Sequence, residues 1–521
     1  MRLLDYYEKV LMPANSAVSA LRRAGLPIDV RRLDRTAEEW GVRLRDLERE
    51  VEGEAAARGL VLRYSQQHSV APERLAEFLY RGLGLEPGRR TPKGAESTDD
   101  SSLSRYASIS VPKDGDHPLV WKVLKIRSLS KALGTYARGF RDAVRADGCV
   151  HPIYNWALRT SRLSAENPPV HQIPEHSDRE VADAIKSWMV PRLAPAPSPE
   201  DWDPRRHGSV LRWDIGGAEA AHRAAMLTHR FCSRPDPAWG LIRSGRDIHA
   251  NTASLIYGRP EQEFRKGMVE RDVLGKQTFF AKQFGAGWQA VQRQVRETAR
   301  LWIDDAEAQR ISEAFDRGHP GLVELYEIDK ERTATLGYCE DGYGRRRWVG
   351  LPEGVRYLGR GSDGRTRWSI PRGLGGAVAH LWHVAANTPT QSMNATDCIW
   401  MIALSYHGEY VELRVPPMWE RQGVQHPEAA GWRLHGGPGP GGRPFQAWYS
   451  NTVHDSAWGD CGPGYLEPFA KLAYRRCRAL PFDWRLEADV PYRVDISVGP
   501  DFGHLRSYAA AAKEFGLGVL E

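Results

Sequence analysis

Apolar residues recur at helical spacing near the start of the chain: Val10, Leu11, Ala14, Val18 and Leu21, then a charged amphipathic run from Leu33 to Val51. Positions three and four apart share one helix face, so this spacing predicts an N-terminal helical segment over residues 1–60. Gly25-Leu26-Pro27-Ile28-Asp29 divides it, because glycine and proline interrupt helices. A second helical region, 61–150, contains a long helix from Leu119 to Ala143. At Tyr154 the pattern changes to a strand and then a loop ending at Ser164, and the Pro-rich residues 192–208 predict no regular structure. Val210-Leu211-Arg212-Trp213 can run as a buried strand into Asp214, followed by Gly216-Gly217 and a helix-like run from Ala220 to Leu227 with Glu219 at its entrance. Residues 240–345 return to helix, one beginning at Asp247-Ile248-His249 and the next spanning Val269 to Trp288. Gly- and Arg-rich residues 349–375 predict a hairpin or surface insertion, and a helix follows from about Ala377 to Tyr406. The segment from Asn451 to Trp458 and the stretch Val490 to Val498 read as strands, before a short Ala-rich helix. The chain shows no internal repeat.

Composition narrows the class. The 521 residues are 41% hydrophobic and 26% charged, which allows several buried cores and argues against wholesale disorder. A net charge of +6 permits a nucleic-acid partner without requiring one. Basic residues gather in the turn-forming tip Arg89 to Asp99 and along the helix carrying Lys122, Lys125, Arg127, Lys131, Arg138 and Arg141. Such a tip either touches phosphates or is simply a solvated loop. The six cysteines form no CxxC pair or metal-ligand spacing, which predicts reduced, structural thiols in a cytoplasmic protein. No apolar run approaches the roughly 18 to 20 residues needed to cross a membrane, and the N-terminus lacks a signal-peptide core.

The candidate chemistry starts at Asp214. A strand-end aspartate often only forms a turn or caps a helix. A second one, Asp455, stands in the strand-like segment Asn451 to Trp458. Two aspartates on separate strands could hold two metal ions about 4 Å apart for in-line phosphoryl transfer. In the run from Val269 to Trp288, Lys276, Phe280 and Phe284 recur every four residues and so share a helix face. That face could grip a triphosphate and stack on a base, or be a core stripe capped by a lysine whose stem lies along it. Arg162, in the loop from Thr160 to Leu163, is suited to contacts with a duplex backbone.

Taken together, these segments resemble family A DNA polymerases, the family of bacterial repair and many phage replicative enzymes, from about residue 60 to 505 and with motifs in the family order. The resemblance implies an α+β right-hand fold: a palm of antiparallel sheet plus helices, helical fingers and a helical thumb. It divides the chain into a thumb at 61–150, palm at 151–240 and 376–521 with a Gly/Pro-rich insertion at 408–447, and fingers at 241–375. By the same resemblance Asp214 and Asp455 are the catalytic metal ligands, helped by the Ile215 carbonyl, and bind two Mg²⁺ ions, with Mn²⁺ able to substitute. Glu219 would exclude ribonucleotides, and His249, Arg271, Lys276, Phe280 and Phe284 would meet the incoming dNTP. Arg162, His171, Gln172, Asn387, Gln391 and His454 would contact primer-template DNA. Only the short helical segment 1–60 precedes the thumb-like region, so the expected enzyme extends DNA without its own proofreading nuclease, leaving editing to a separate exonuclease or replisome subunit. A phage or mobile-element replication enzyme is the expected setting.

Three positions depart from the family pattern, one of them Phe284, where a tyrosine is common. Ser456 stands where a glutamate usually follows the His-Asp pair, and Asp272 replaces the arginine four residues before Lys276. Arg271 sits one place earlier, rotated by about 100° on a helix, which leaves its reach to phosphate open. Two competing readings stand beside the DNA polymerase: a single-subunit RNA polymerase, which Glu219 opposes, and a catalytically silent DNA-binding scaffold, which Ser456 and Asp272 would favour.

Overall fold

Helix α1 (Met12–Ala24) stops at Gly25, which takes φ 68°, where a Cβ would lie 2.6 Å from the His151 ring. Glycine alone adopts that conformation and approach without strain. The computed structural model describes every residue except 1–2, 89, 92, 108–114, 157, 174–177, 230–231, 300–302, 402, 404–409, 416–428, 435–441, 454–455, 479–492 and 521. Helix α2 (Val30–Ala57) begins at Asp29, whose carboxylate caps it by accepting from the Arg32 amide at 3.0 Å. It packs on α3 (Pro118–Lys131), and Leu44, Val51, Val120 and Leu124 share one core with Trp188, which follows α4 (Arg179–Ser187). Inside this body Lys125 is fully buried, held by Asp178 at 2.9 Å and Glu180 at 2.8 Å. Helix α1 belongs elsewhere: Ala14, Ala17 and Leu21 pack into the core beneath the central sheet. Residues 1–60 therefore divide between two cores.

The sheet begins with β1 (Ser209–Gly216), which turns through Gly217 into α5 (Ala218–His229). A helical lobe follows: α6 (Ile248–Tyr257), α7 (Lys276–Lys282), α8 (Asp305–Gly318) and α9 (Pro320–Leu336). Two hairpins, β2 (Tyr338–Glu340) with β3 (Arg346–Trp348) and β4 (Arg356–Arg360) with β5 (Thr366–Ser369), lead to α10 (Gly375–Ala395), which continues as a π-helical turn to Met401. The chain then returns to the sheet with β6 (Ala447–Val453), β7 (Ser456–Cys461), α11 (Leu466–Arg478), β8 (Arg493–Gly499) and β9 (Arg506–Ser507).

The five antiparallel strands run in the order β6-β7-β1-β8-β9, with β1 at the centre. Leu211, Trp213 and Ile215 alternate onto one buried face, where the Trp213 ring meets Phe469 of α11 edge-on at 5.7 Å. Arg212 and Asp214 occupy the other, partly open face. The predicted hairpin at 349–375 is present as β4–β5. The insertion at 408–447 contains an unforeseen ribbon, Tyr410–Val415 paired with Ala429–Leu434, while the glycines at 436–441 lie outside the described residues. The helix predicted to reach Tyr406 is α-helical to Ala395 and π-helical to Met401, and its predicted end at 404–406 lies outside the described residues. No helix among the described residues is long and apolar enough to cross a membrane.

Candidate active site

Strand pairing fixes the surroundings of Asp214. It stands opposite Ser456 of β7 on one side and Asp495 of β8 on the other. Directly opposed residues in antiparallel strands point to the same face, so these three form one row across the sheet. Asp495 is exposed and leans toward Gly216, whose Cβ would lie 3.2 Å from its carboxylate. The Ile215 side chain is buried in the core, so only its carbonyl could reach a cation. The predicted Asp455 and His454 lie outside the described residues. Their neighbour Ser456 donates its hydroxyl to the Val453 carbonyl at 2.8 Å and accepts from Trp458 Nε1 at 3.2 Å. Its oxygen thus ties the hairpin together. Among the described residues no three His, Cys, Asp or Glu side chains gather as a metal cluster.

One helical turn beyond the strand, Glu219 collects two predicted DNA-binding residues. Arg162 Nη2 donates to its Oε1 at 2.6 Å, and Gln391 Nε2 donates to the same oxygen at 2.7 Å. Arg162 comes from the loop joining the short strands Ile153–Asn155 and Ser164–Glu166. Gln391 and the half-buried Asn387 sit one turn apart on α10. Three distant segments therefore meet at one carboxylate. His171 places its ring nitrogens against the carbonyls of Leu163, at 3.1 Å, and of Thr452 in β6. Gln172 is exposed, and its carbonyl accepts from the Tyr136 hydroxyl.

The helical lobe contributes a second cluster. Asp247 caps α6 by accepting from the His249 and Ala250 amides at 3.0 and 3.1 Å. Its other oxygen binds Arg271 at 2.6 Å, and Arg271 also pairs with Asp272. Arg271 is only 12% exposed, so in this structure the expected dNTP contact is occupied by two acids. Burial opposes charge on Asp247, but the Arg271 guanidinium and the capped amides outweigh it and hold the carboxyl below its ordinary range. His249 stands 5.5 Å from the Phe280 ring and 5.8 Å from Phe279. Burial drives its pKa down from 6.5 to about 4, so at neutral pH the imidazole is an uncharged donor.

Helix α7 separates the two readings of its stripe. Phe279 is fully buried and edge-on to Phe315 at 5.9 Å: that face is core. Lys276 is exposed, its ammonium 5.9 Å from the half-buried Phe280 ring. Phe284, one turn on, is buried with its edge toward His383 at 6.4 Å. Glycines bracket the helix. A Cβ on Gly275 would collide with the His249 carbonyl, and one on Gly285, at φ 77°, would enter the Tyr326 ring.

Two residues of this region escaped the sequence reading. Asp495 sat in a recognised strand, but only the register reveals that it faces Asp214. Arg223 is completely buried; it donates Nε to the Gln283 carbonyl at 2.9 Å and pairs with Asp329, tying α5 to the end of α7 and to α9. An arginine among Ala220, Ala221, Ala224 and Ala225 was the available signal.

The fold is that of a right-hand polymerase. It superposes on the POL domain of Pol1 from M. smegmatis, solved with DNA primer-template and dNTP, with TM-score 0.67, 18% identity, and coverage of 96% of this chain and 71% of that one. Residues 30–195 match the family model for DNA polymerase family A. DNA polymerase I of Synechocystis sp. is 25% identical over 397 residues, covering 75% of this chain and 35% of that protein. The thermostable DNA polymerase I of Thermus filiformis is 26% identical over 390 residues, covering 74% of this chain and 41% of its own length. The chain is similar to DNA polymerase family A over residues 30–195 and to these relatives across about three quarters of its length. It spans well under half the length of these curated relatives.

Proposed function

We propose that this chain is a template-directed DNA polymerase adding dNTPs to a primer 3′-hydroxyl. The observation that carries this reading is the convergence of Arg162, Glu219 and Gln391 one helical turn beyond Asp214. We assign the palm to the five-stranded sheet with its flanking helices, the fingers to residues 241–375, and the thumb to 61–150 together with α2, which shares its core.

Asp214, the Ile215 carbonyl and Asp455 would hold divalent cations. The available donors in the described row are oxygens, and such hard donors fit Mg²⁺. Bound there, Mg²⁺ would acidify the primer hydroxyl and neutralise charge on the triphosphate and departing pyrophosphate. Lys276, the exposed cation of α7, supplies positive charge to the phosphates, and Phe280 offers its ring to the sugar and base. His249, being neutral, contributes as a hydrogen-bond donor. Glu219, braced by two partners, is held where its carboxylate would meet a ribose 2′-hydroxyl. Arg162 and Gln391 couple that gate to the primer end, so the duplex and the sugar are checked by one network.

The test is extension of a labelled primer with Mg²⁺ and either dNTPs or NTPs, comparing the wild type with Asp214→Ala. Extension with dNTPs should fall at least about a thousandfold in the variant. Equal use of NTPs by the wild type would remove the gating role of Glu219. Salt-sensitive DNA binding without extension under any condition would favour the silent scaffold.

A further inference from the structure

Gln391 reaches Glu219 from a helix whose own ladder is interrupted on both sides of it. Pro389 lies inside α10 and has no backbone N–H, so the Ala385 carbonyl loses its helical partner. At Thr396 the helix passes into the π-helical turn, where each hydrogen bond spans one residue more. The short segment between these points depends on outside contacts for its rotation about the axis.

Those contacts lie on one face. Thr388, Ser392 and Thr396 recur every four residues and drift only about 40° per step around the helix. Each hydroxyl is bonded. Thr388 accepts from Arg347 Nη1 at 2.9 Å, Ser392 donates to Asp341 Oδ2 at 2.5 Å, and Thr396 donates to the Ser392 carbonyl at 3.0 Å. Arg345 joins the three: Nε donates to Asp341 at 2.7 Å, Nη2 to the Ser392 carbonyl, and Nη1 to the Tyr6 hydroxyl at 2.9 Å. A guanidinium only donates, so the Tyr6 oxygen accepts from it and turns its own proton to Thr396, 3.3 Å away.

The Asp341 carboxylate also accepts from the Tyr343 and Arg345 amides at 2.9 and 3.0 Å, which closes the turn between β2 and β3. One carboxylate, 1% exposed, thus fixes the hairpin to itself and to α10. Gln391 is the next residue in the chain to Ser392, and its Nε2 donates to Glu219 Oε1 at 2.7 Å. Rotation of the segment would draw that amide away and leave Arg162 to hold the carboxylate.

We propose that Asp341 and Arg345 are positioning residues for sugar selection: through Ser392 they set the rotation of α10 and so keep Gln391 on Glu219. The proposal rests on the polymerase reading above. A buried ion pair adds little net stability over apolar residues of equal volume, and the effect assigned to this one is a fixed geometry.

The experiment measures kcat/KM for adding a single dNTP or NTP to a labelled primer with Mg²⁺. Arg345→Lys loses the fork and should raise NTP use relative to dNTP about tenfold, the scale of one hydrogen bond to a charged group, mostly through a lower KM for NTP. Tyr6→Phe keeps the ring and removes only the hydroxyl, so it probes the same point with the packing intact; a shift of about threefold is expected. Arg346→Gln, which removes the exposed pair with Glu340 on the same hairpin, should leave the ratio unchanged. In a Gln391→Ala background, Arg345→Lys should have no further effect on the ratio. Equal losses with dNTP and NTP would make the pair merely structural and overturn the proposal. So would an unchanged ratio in both Arg345→Lys and Tyr6→Phe, or additivity with Gln391→Ala. A wild type that extends with neither nucleotide would instead be the failure of the polymerase reading.

Discussion

Asp214 and Lys276 serve one proposed reaction from opposite kinds of support. Asp214 sits in the central strand of the sheet, paired on both sides and backed by the fully buried Trp213. Any slip of one residue would move it to the other face, so its position is set by the whole ladder. Lys276 opens a helix of seven residues, preceded by a π-helical turn from Glu270 to Gly275. Its placement depends on a cap at Asp247, an ion pair to Arg271 and the close contact at Gly275. Each of these is local and can be exchanged singly. The contrast suits a site that holds its cations still and brings its nucleotide in on a movable helix.

The largest effect should come from the sheet. Trp213→Ala should cost about 3–5 kcal/mol and lower the melting temperature of the whole protein, with extension lost in parallel. Unchanged melting would break the claim that packing behind the strand sets Asp214. Gly275→Ala is the corresponding change in the helical lobe and should cost about 1–3 kcal/mol. Hydrogen exchange should then show lost protection over residues 247–282 while 209–216 stay protected; loss in both would mean that the two supports are one unit. The smallest effect concerns His249. Its folded pKa of about 4 lies below the ordinary 6.5, so the unfolded chain takes up a proton first as pH falls. The contribution of the neutral ring is fully present above pH 6.5 and is lost as pH drops toward 4. His249→Gln should flatten acid sensitivity of melting within that window and leave it unchanged above.

Much of this site could be read along the chain because its motifs are local. The Asp214 strand, the Glu219 helix entrance and the Lys276–Phe280 spacing each follow from a few neighbouring residues. What could not be read depends on partners far away. That Arg271 turns to Asp247 follows from how α6 docks on the turn before α7, not from its place beside Asp272. That Asp495 faces Asp214 follows from the register of two strands with the entire helical lobe between them in the chain. The ribbon at 410–434 was hidden because its two strands lie within a Gly- and Pro-rich segment whose composition indicates loop. The division of residues 1–60 between two cores was equally invisible, since both helices carry the same amphipathic pattern.

The central place of β1 also bears on the order in which the protein is made. The two strands that flank it are contributed by residues 456–461 and 493–499, so Asp214 leaves the ribosome long before Ser456. At synthesis rates of about 5–20 residues per second, β1 waits roughly 12–50 s for its first neighbour. The helices α2, α3 and α4 can pack together during that interval, because all three are already made, while Trp458 and Phe502 join their core later. The nascent sheet cannot. Arg212 and Asp214, alternating with the apolar positions of the strand, place charge where a lone β-edge would otherwise recruit another chain. The same aspartate proposed to bind metal in the finished protein would thus guard its own strand while the rest is being translated.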